Sequence, residues 1–225
     1  MDRGLSIVGY ECLIRGLNED GRILPPSYMF KCAENTDTVF YLDRLCREMA
    51  IKSSSEKGLN DRLIFINFVP TSIYNPEMCL HSTIEMVNAY GLNPENIVFE
   101  VVESHKVDDL KHLIRILDYQ REKGFKVALD DVGAGFSGLV NLVNLRPDII
   151  KIDKEIVRGI NGDNLKQGIA RALTDMCNKN GIRTIAEGIE TYGELEFLID
   201  KVDYLQGFLF AQPSEEPPKR LRGLR

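Results

Sequence analysis

Short runs of branched and aromatic residues recur along the chain, at Ser6–Leu13, Arg62–Asn67, Ile97–Val102, Lys126–Asp131, Ile149–Ile152, Arg183–Glu187 and Tyr204–Phe208. Their length and composition predict β-strands. Between them, apolar residues repeat at helical spacing. Leu110, Leu113, Ile114 and Leu117 form one such face, Leu165, Ile169, Leu173 and Met176 another, and Leu42, Leu45 and Met49 a third. That period predicts amphipathic helices laid on a core. Gly58, Gly91, Gly124 and Gly181 each follow a helical stretch and precede a strand, which suits a left-handed helix C′ position. Strands alternating with helices imply parallel pairing through right-handed crossovers. No linker-like stretch interrupts the rhythm, so residues 1–225 read as one domain.

Seven strands are compatible with an open doubly wound sheet or with a (β/α) barrel that is one strand short. The polar residues favour the barrel. Glu11, Asn67, Glu100, Asp130 with Asp131, Lys151 with Asp153, Glu187 and Gln206 sit near the C-terminal ends of the runs or at repeated inward positions. Barrel strand ends converge on one face, whereas the outer strands of an open sheet lie too far apart to share a site.

Composition narrows the classes. The 225 residues are 44% hydrophobic and 28% charged, the profile of a globular domain able to fold without disulfides or a structural metal. No apolar run approaches the ~20 residues of a membrane span, and no secretory leader pattern opens the chain. The net charge of −6 disfavours a nucleic-acid polymer as partner. Five widely spaced cysteines (Cys12, Cys32, Cys46, Cys79, Cys177) suggest buried thiols in a reducing compartment, the cytoplasm. His81, His105 and His112 match no metal-ligand spacing with them.

Glu11, Glu100, Asp130, Asp131 and Glu187 would bring five carboxylates to one rim, with Asn67 and Gln206 as neutral oxygen donors and Lys151 as the cation. Crowded anions resist ionising together, and divalent cations are the simplest remedy. An all-oxygen donor set suits Mg²⁺ or Mn²⁺ before Zn²⁺. The adjacent Asp130-Asp131 could bridge two ions, the arrangement that clamps an in-line phosphoryl displacement. Gly133-Ala134-Gly135-Phe136-Ser137-Gly138 also fits the G-x-G-x-x-G of dinucleotide folds. The aspartates immediately before it would repel a pyrophosphate, so a glycine-rich loop beside metals is the better reading.

These motifs, in this order, resemble the EAL-domain phosphodiesterases, which linearise the second messenger cyclic di-GMP. The signature tripeptide stands as Glu11-Cys12-Leu13, followed by Ile14-Arg15. Next come Phe65-Ile66-Asn67, Phe99-Glu100-Val101-Val102-Glu103-Ser104 and the aspartate loop Asp130–Leu139. Lys151-Ile152-Asp153, Ala186-Glu187-Gly188-Ile189-Glu190-Thr191 and Gln206-Gly207-Phe208 complete the set. The resemblance implies a TIM-like barrel and hydrolysis of cyclic di-GMP to linear pGpG with two Mg²⁺ or Mn²⁺ ions. It implies that Glu11, Asn67, Glu100 and Asp130 bind the first ion, and that Asp130 and Asp131 hold the second. Gln206 and Glu187 complete the metal and water shell. Lys151 and Glu187 act on the attacking water. Glu103 belongs to the same catalytic group as the anchor of the aspartate loop. Arg15, with Leu13, Asp153 and Glu190, is assigned to substrate binding or its support; Asp153 also suits a helix N-cap. A homodimer and, in related proteins, an upstream sensor domain are further implications.

The chain departs from the family pattern in three ways. Cys12 replaces the usual alanine and is expected to face away from Glu11. Val132 and Ala134 replace the common Phe and Thr of the aspartate loop. Only ten residues precede Glu11, so the usual first helix and strand are expected to be missing. The altered loop and short start support an alternative, a weak or inactive cyclic di-GMP receptor or protein-interaction module on the same fold.

Overall fold

Four of the helices hand the chain to a strand through one repeated device. Gly58, Gly91, Gly124 and Gly181 have φ of 68°, 65°, 87° and 71°. The residue after each returns its N–H to a carbonyl in the last helical turn, Leu59 to Ser54, Leu92 to Val87, Phe125 to Gln120 and Ile182 to Cys177. That is the Schellman closure the glycine spacing predicts. The structure, a computed structural model, describes residues 4–102, 109–135 and 138–221. These form two compact units, one built on residues 9–99 and 109–126, the other on 4–8, 100–102, 127–135 and 138–221.

The first unit opens with β1 (Gly9–Cys12) and a two-stranded hairpin of β2 (Gly16–Leu17) and β3 (Ile23–Leu24). Helices α1 (Pro26–Asn35) and α2 (Val39–Glu56) lead to β4 (Leu63–Asn67). Helices α3 (Pro76–Cys79) and α4 (His81–Ala89) lead to β5 (Ile97–Val102), which is followed by α5 (Leu110–Glu122). β1 runs parallel to β4 with Glu11 opposite Phe65, and the sheet order is β1-β4-β5. Ile64, Phe65 and Ile66, and then Ile97, Val98 and Phe99, are buried in succession. Continuous burial is the mark of parallel strands covered on both faces.

Helix α2 is amphipathic as predicted, but its inner face is rotated from the predicted one. Leu45 and Met49 are exposed, while Asp43, Arg47, Ala50, Ile51 and Ser54 point inward. Apolar periodicity misses this face because its centre is an ion pair. Arg47 Nε donates to Asp43 Oδ2 at 3.1 Å and its Nη1 donates to Thr83 of α4. Asp43 also accepts from the Val69 N–H and the Ser72 hydroxyl, at 3.0 and 3.1 Å. Burial pushes the Asp43 carboxyl up, against the pull of Arg47 and these donors. A charged pair is tolerated in a core only with such partners.

The second unit carries β6 (Lys126–Val132), α6 (Gly138–Leu145), β7 (Ile149–Ile152), α7 (Lys154–Val157) and α8 (Asn164–Lys179). It ends with β8 (Arg183–Ala186), α9 (Tyr192–Leu198) and β9 (Tyr204–Leu205). The strand order is β5-β6-β7-β8-β9, with parallel pairing from β6 to β9. In α8 the inward residues are Ala170, Leu173, Thr174 and Cys177, and the expected Leu165 is exposed. β8 and β9 stop one residue before Glu187 and Gln206, so both side chains stand at strand ends. Among the described residues no helix is long and apolar enough to cross a membrane.

A capping box starts α9. Thr191 Oγ1 accepts from the Glu194 N–H at 3.3 Å, and the Glu194 carboxylate accepts from the Thr191 N–H at 2.9 Å. Thr191→Ala is expected to cost about 1 kcal/mol. In a chain of this size that lowers the thermal midpoint by roughly 2–4 °C, as calorimetry would measure.

Candidate functional site

The twin aspartates owe their presentation to a break in β6. Its register with β7 shifts between Leu129 and Val132, a bulge spanning Asp130 and Asp131. Bulges commonly re-aim side chains at strand ends. Asp131 takes a left-handed φ of 57°, and its N–H is held by Asp130 Oδ1 at 3.0 Å. Aspartate tolerates this conformation better than most residues because its short polar side chain bonds locally.

Lys151, in the middle of β7 and almost fully buried, is the electrostatic centre of this unit. Its Nζ lies 2.6 Å from Glu100 Oε1 on β5, 2.7 Å from Glu187 Oε1 after β8, and 3.2 Å from Asp130 Oδ1 on β6. Four successive strands thus deliver one ammonium and three carboxylates to one point. Asp131 adds a fourth acid. Burial and the neighbouring Asp130 and Asp153 carboxylates push its pKa up to about 6, against the pull of Lys151. One cation does not neutralise four acids, so the cluster favours a further positive charge.

The donor set fits a hard divalent cation. One carboxylate oxygen each from Asp130, Asp131 and Glu187 lie within 4.8 Å of one another. The donors are oxygens without His or Cys, the chemistry of hard divalent cations. A bound cation would offset the burial and the neighbouring Asp130 and Asp153 carboxylates that raise the Asp131 pKa.

In the first unit, Asn67 Nδ2 donates to Glu11 Oε1 at 3.3 Å, bringing these two together. Leu13 and Arg15 are exposed there, and Arg15 Nη1 donates to the carbonyl of Ile14 at 2.7 Å. Cys12 turns its thiol to Ser54 of α2, 3.7 Å away, opposite in strand alternation to Glu11. In the second unit, Asp153 is buried and caps α7 by accepting from the Glu155 N–H at 2.8 Å. Glu190 is exposed and pairs with Arg158 at 2.9 Å. Gln206 accepts from the Ile189 N–H through its backbone carbonyl, 3.0 Å away. Glu103 lies outside the described residues.

Two groups that structure the surroundings were not singled out from sequence. The Asp43–Arg47 pair is visible only as an i, i+4 acid–base spacing, which a solvated helix face would share. Glu194 had a better signal, the Thr191-x-x-Glu194 pattern of a capping box.

The EAL domain family model matches residues 2–213. The chain is 31% identical over 215 residues to the probable cyclic di-GMP phosphodiesterase PdeG of Escherichia coli, covering 92% of this chain and 42% of PdeG. It spans about half or less of the length of the curated relatives it matches. A standalone EAL protein of Vibrio cholerae, solved in its c-di-GMP-bound form, superposes with a TM-score of 0.86 at 34% identity, covering 96% of this chain and 90% of that one. The Klebsiella pneumoniae BlrP1 manganese/cy-diGMP complex superposes with a TM-score of 0.81 at 32% identity, covering 92% and 51%. The fold is therefore the TIM-like α/β type of EAL proteins.

Proposed function

The chain belongs to the EAL domain family, and from that membership we propose that it is a divalent-metal-dependent phosphodiesterase opening cyclic di-GMP to linear pGpG. The observation that carries the reading is the convergence of Glu100, Asp130 and Glu187 on Lys151, with Asp131 beside them. Glu100, Asp130, Asp131 and Glu187 are the proposed holders of Mg²⁺ or Mn²⁺. Glu11, Asn67 and Gln206 join the ligand set by their places in the family motifs. The manganese complex of the BlrP1 relative supports the choice of ion.

Bound divalent cations supply Lewis-acid activation of water and charge neutralisation at the phosphoryl group. The protein's own groups do the rest. Glu187 accepts the proton of the attacking water, and Lys151 donates a hydrogen bond that orients it. The water oxygen forms the new bond to phosphorus as the P–O3′ bond breaks, and the leaving 3′ oxygen takes a proton from solvent water while Glu187 returns its own to solvent. Arg15, with Leu13, Asp153 and Glu190, remains assigned to binding the substrate or supporting that surface. Glu103 remains the proposed anchor of the aspartate loop.

A homodimer belongs to the same reading; the exposed apolar Leu139, Val140 and Val143 of α6 support it. So does a cytoplasmic location, supported by five free cysteines. The greater length of relatives such as PdeG supports an upstream sensor domain in proteins of this kind. The test is turnover of cyclic di-GMP with Mn²⁺ or Mg²⁺ and separation of the products. Linear pGpG that forms with metal and stops in excess EDTA is the expected result. Nucleotide binding without product under saturating metal would replace this reading with a receptor.

A further inference from the structure

Glu194 is a carboxylate with only 3% of its surface exposed, at the start of α9. Helix capping accounts for its bond from the Thr191 N–H. Two other bonds reach beyond that duty. Its Oε2 also accepts from the Glu190 N–H at 3.0 Å, and its Oε1 accepts from the N–H of Gly159 at 2.8 Å. Three backbone donors from two loops thus converge on one side chain. Burial alone would raise its pKa; the donors outweigh it and hold the carboxyl below its usual range.

The two loops are those that leave β7 and β8. The first runs from Asp153 through α7 to Gly159, directly after Lys151. The second is Glu187–Thr191. Their near ends are already joined, because the Glu187 N–H donates to the Ile152 carbonyl at 3.1 Å. Gly188, at φ +69°, lies so close to α7 that a Cβ there would come within 2.6 Å of Lys154 Cβ. Ile189 is pinned from the other side, donating to the Gln206 carbonyl and accepting from the Leu209 N–H, both at 3.0 Å. Glu194 ties the far ends, Gly159 of one loop to Glu190 and Thr191 of the other.

We propose that Glu194 is a positioning residue for the Lys151–Glu187 pair. It locks the loop after β8 against the loop after β7, so that Glu187 is presented at a fixed distance from Lys151. The inference rests on the phosphodiesterase reading for its activity readout, whereas the lock itself does not.

The experiment uses the full chain with Glu194→Gln and Glu194→Ala. Steady-state turnover under saturating Mn²⁺, amide hydrogen exchange across 187–191 and Mn²⁺ affinity are measured together. The glutamine keeps one acceptor oxygen, enough for Glu190 and Thr191, and presents an NH₂ where Gly159 needs an acceptor. The expected result is a kcat lowered roughly 10-fold in Glu194→Gln and roughly 100-fold in Glu194→Ala, with KM nearly unchanged. Exchange across 187–191 should rise in the same order. A role confined to helix capping predicts a lower thermal midpoint with kcat intact, and that outcome overturns the proposal. So does a raised KM with unchanged kcat. If Glu194→Ala does not fold, Glu194→Gln decides on the same criteria. If the parent chain opens no cyclic di-GMP, the phosphodiesterase reading fails separately and Mn²⁺ affinity decides. A loss of about 10-fold in Glu194→Ala then upholds the positioning role, and an unchanged affinity overturns it.

Discussion

Replacing Lys151 with methionine is expected to lower cyclic di-GMP turnover by about 10²–10³-fold, the loss typical of removing one fixed electrostatic donor from a reacting centre. The same substitution should destabilise the metal-free protein by about 3–5 kcal/mol, because it strips buried carboxylates of their common partner. Methionine keeps most of the apolar stem, so packing is largely preserved. What it removes is the ammonium 2.6, 2.7 and 3.2 Å from Glu100, Glu187 and Asp130. The two effects separate in calorimetry. In EDTA the thermal midpoint should fall by roughly 10 °C. Saturating Mn²⁺ should raise it more in the variant than in the parent, since a cation that binds the folded state stabilises it and here replaces a missing charge. Turnover within twofold of the parent would show that Lys151 is a structural counter-ion only.

What the sequence made legible follows from what its patterns can encode. The strands, and the glycine after each of four helices, were readable because local geometry alone demands them. The phase of α2 was not, since its inward face is an ion pair and periodicity counts only apolar residues. Helix α8 shows the same limit from the other side: Leu165 is apolar yet exposed, while Thr174 is buried because its hydroxyl bonds back to the Ala170 carbonyl at 3.0 Å. At the site, the gathering of Glu100, Asp130, Lys151 and Glu187 was legible, because each stands at or near the C-terminal end of a predicted strand. Their pairing was not. Spacing does not tell that Lys151 would bond three of them, or that a bulge would turn Asp131 into the left-handed region. Asp153 was balanced between binding and capping, and its bond from Glu155 N–H is the geometry of a cap.

Asp131 sets the second large effect, a pH threshold for metal binding. Burial and the Asp130 and Asp153 carboxylates raise its pKa to about 6, well above the ordinary aspartate value. Between the unfolded value and about 6 the folded, metal-free protein therefore holds a proton that the unfolded chain has lost. More protons bound in the folded state mean that this group's contribution to stability is present at low pH and is lost as pH rises through about 6. A divalent cation needs the deprotonated oxygen, so its binding runs the other way. Mn²⁺ affinity is expected to be level above about 6.5 and to fall by about 10-fold per pH unit below 6, one proton being displaced per ion bound. Titration calorimetry in buffers of different ionisation enthalpy would count that proton. Asp131→Asn should abolish the step near 6 and weaken binding at pH 8, because the amide offers a neutral oxygen in place of an anionic one. An affinity that stays flat from pH 8 to pH 5 would show that the ion does not bind Asp131, for ordinary carboxylate ligands with pKa near 4 would give no such step.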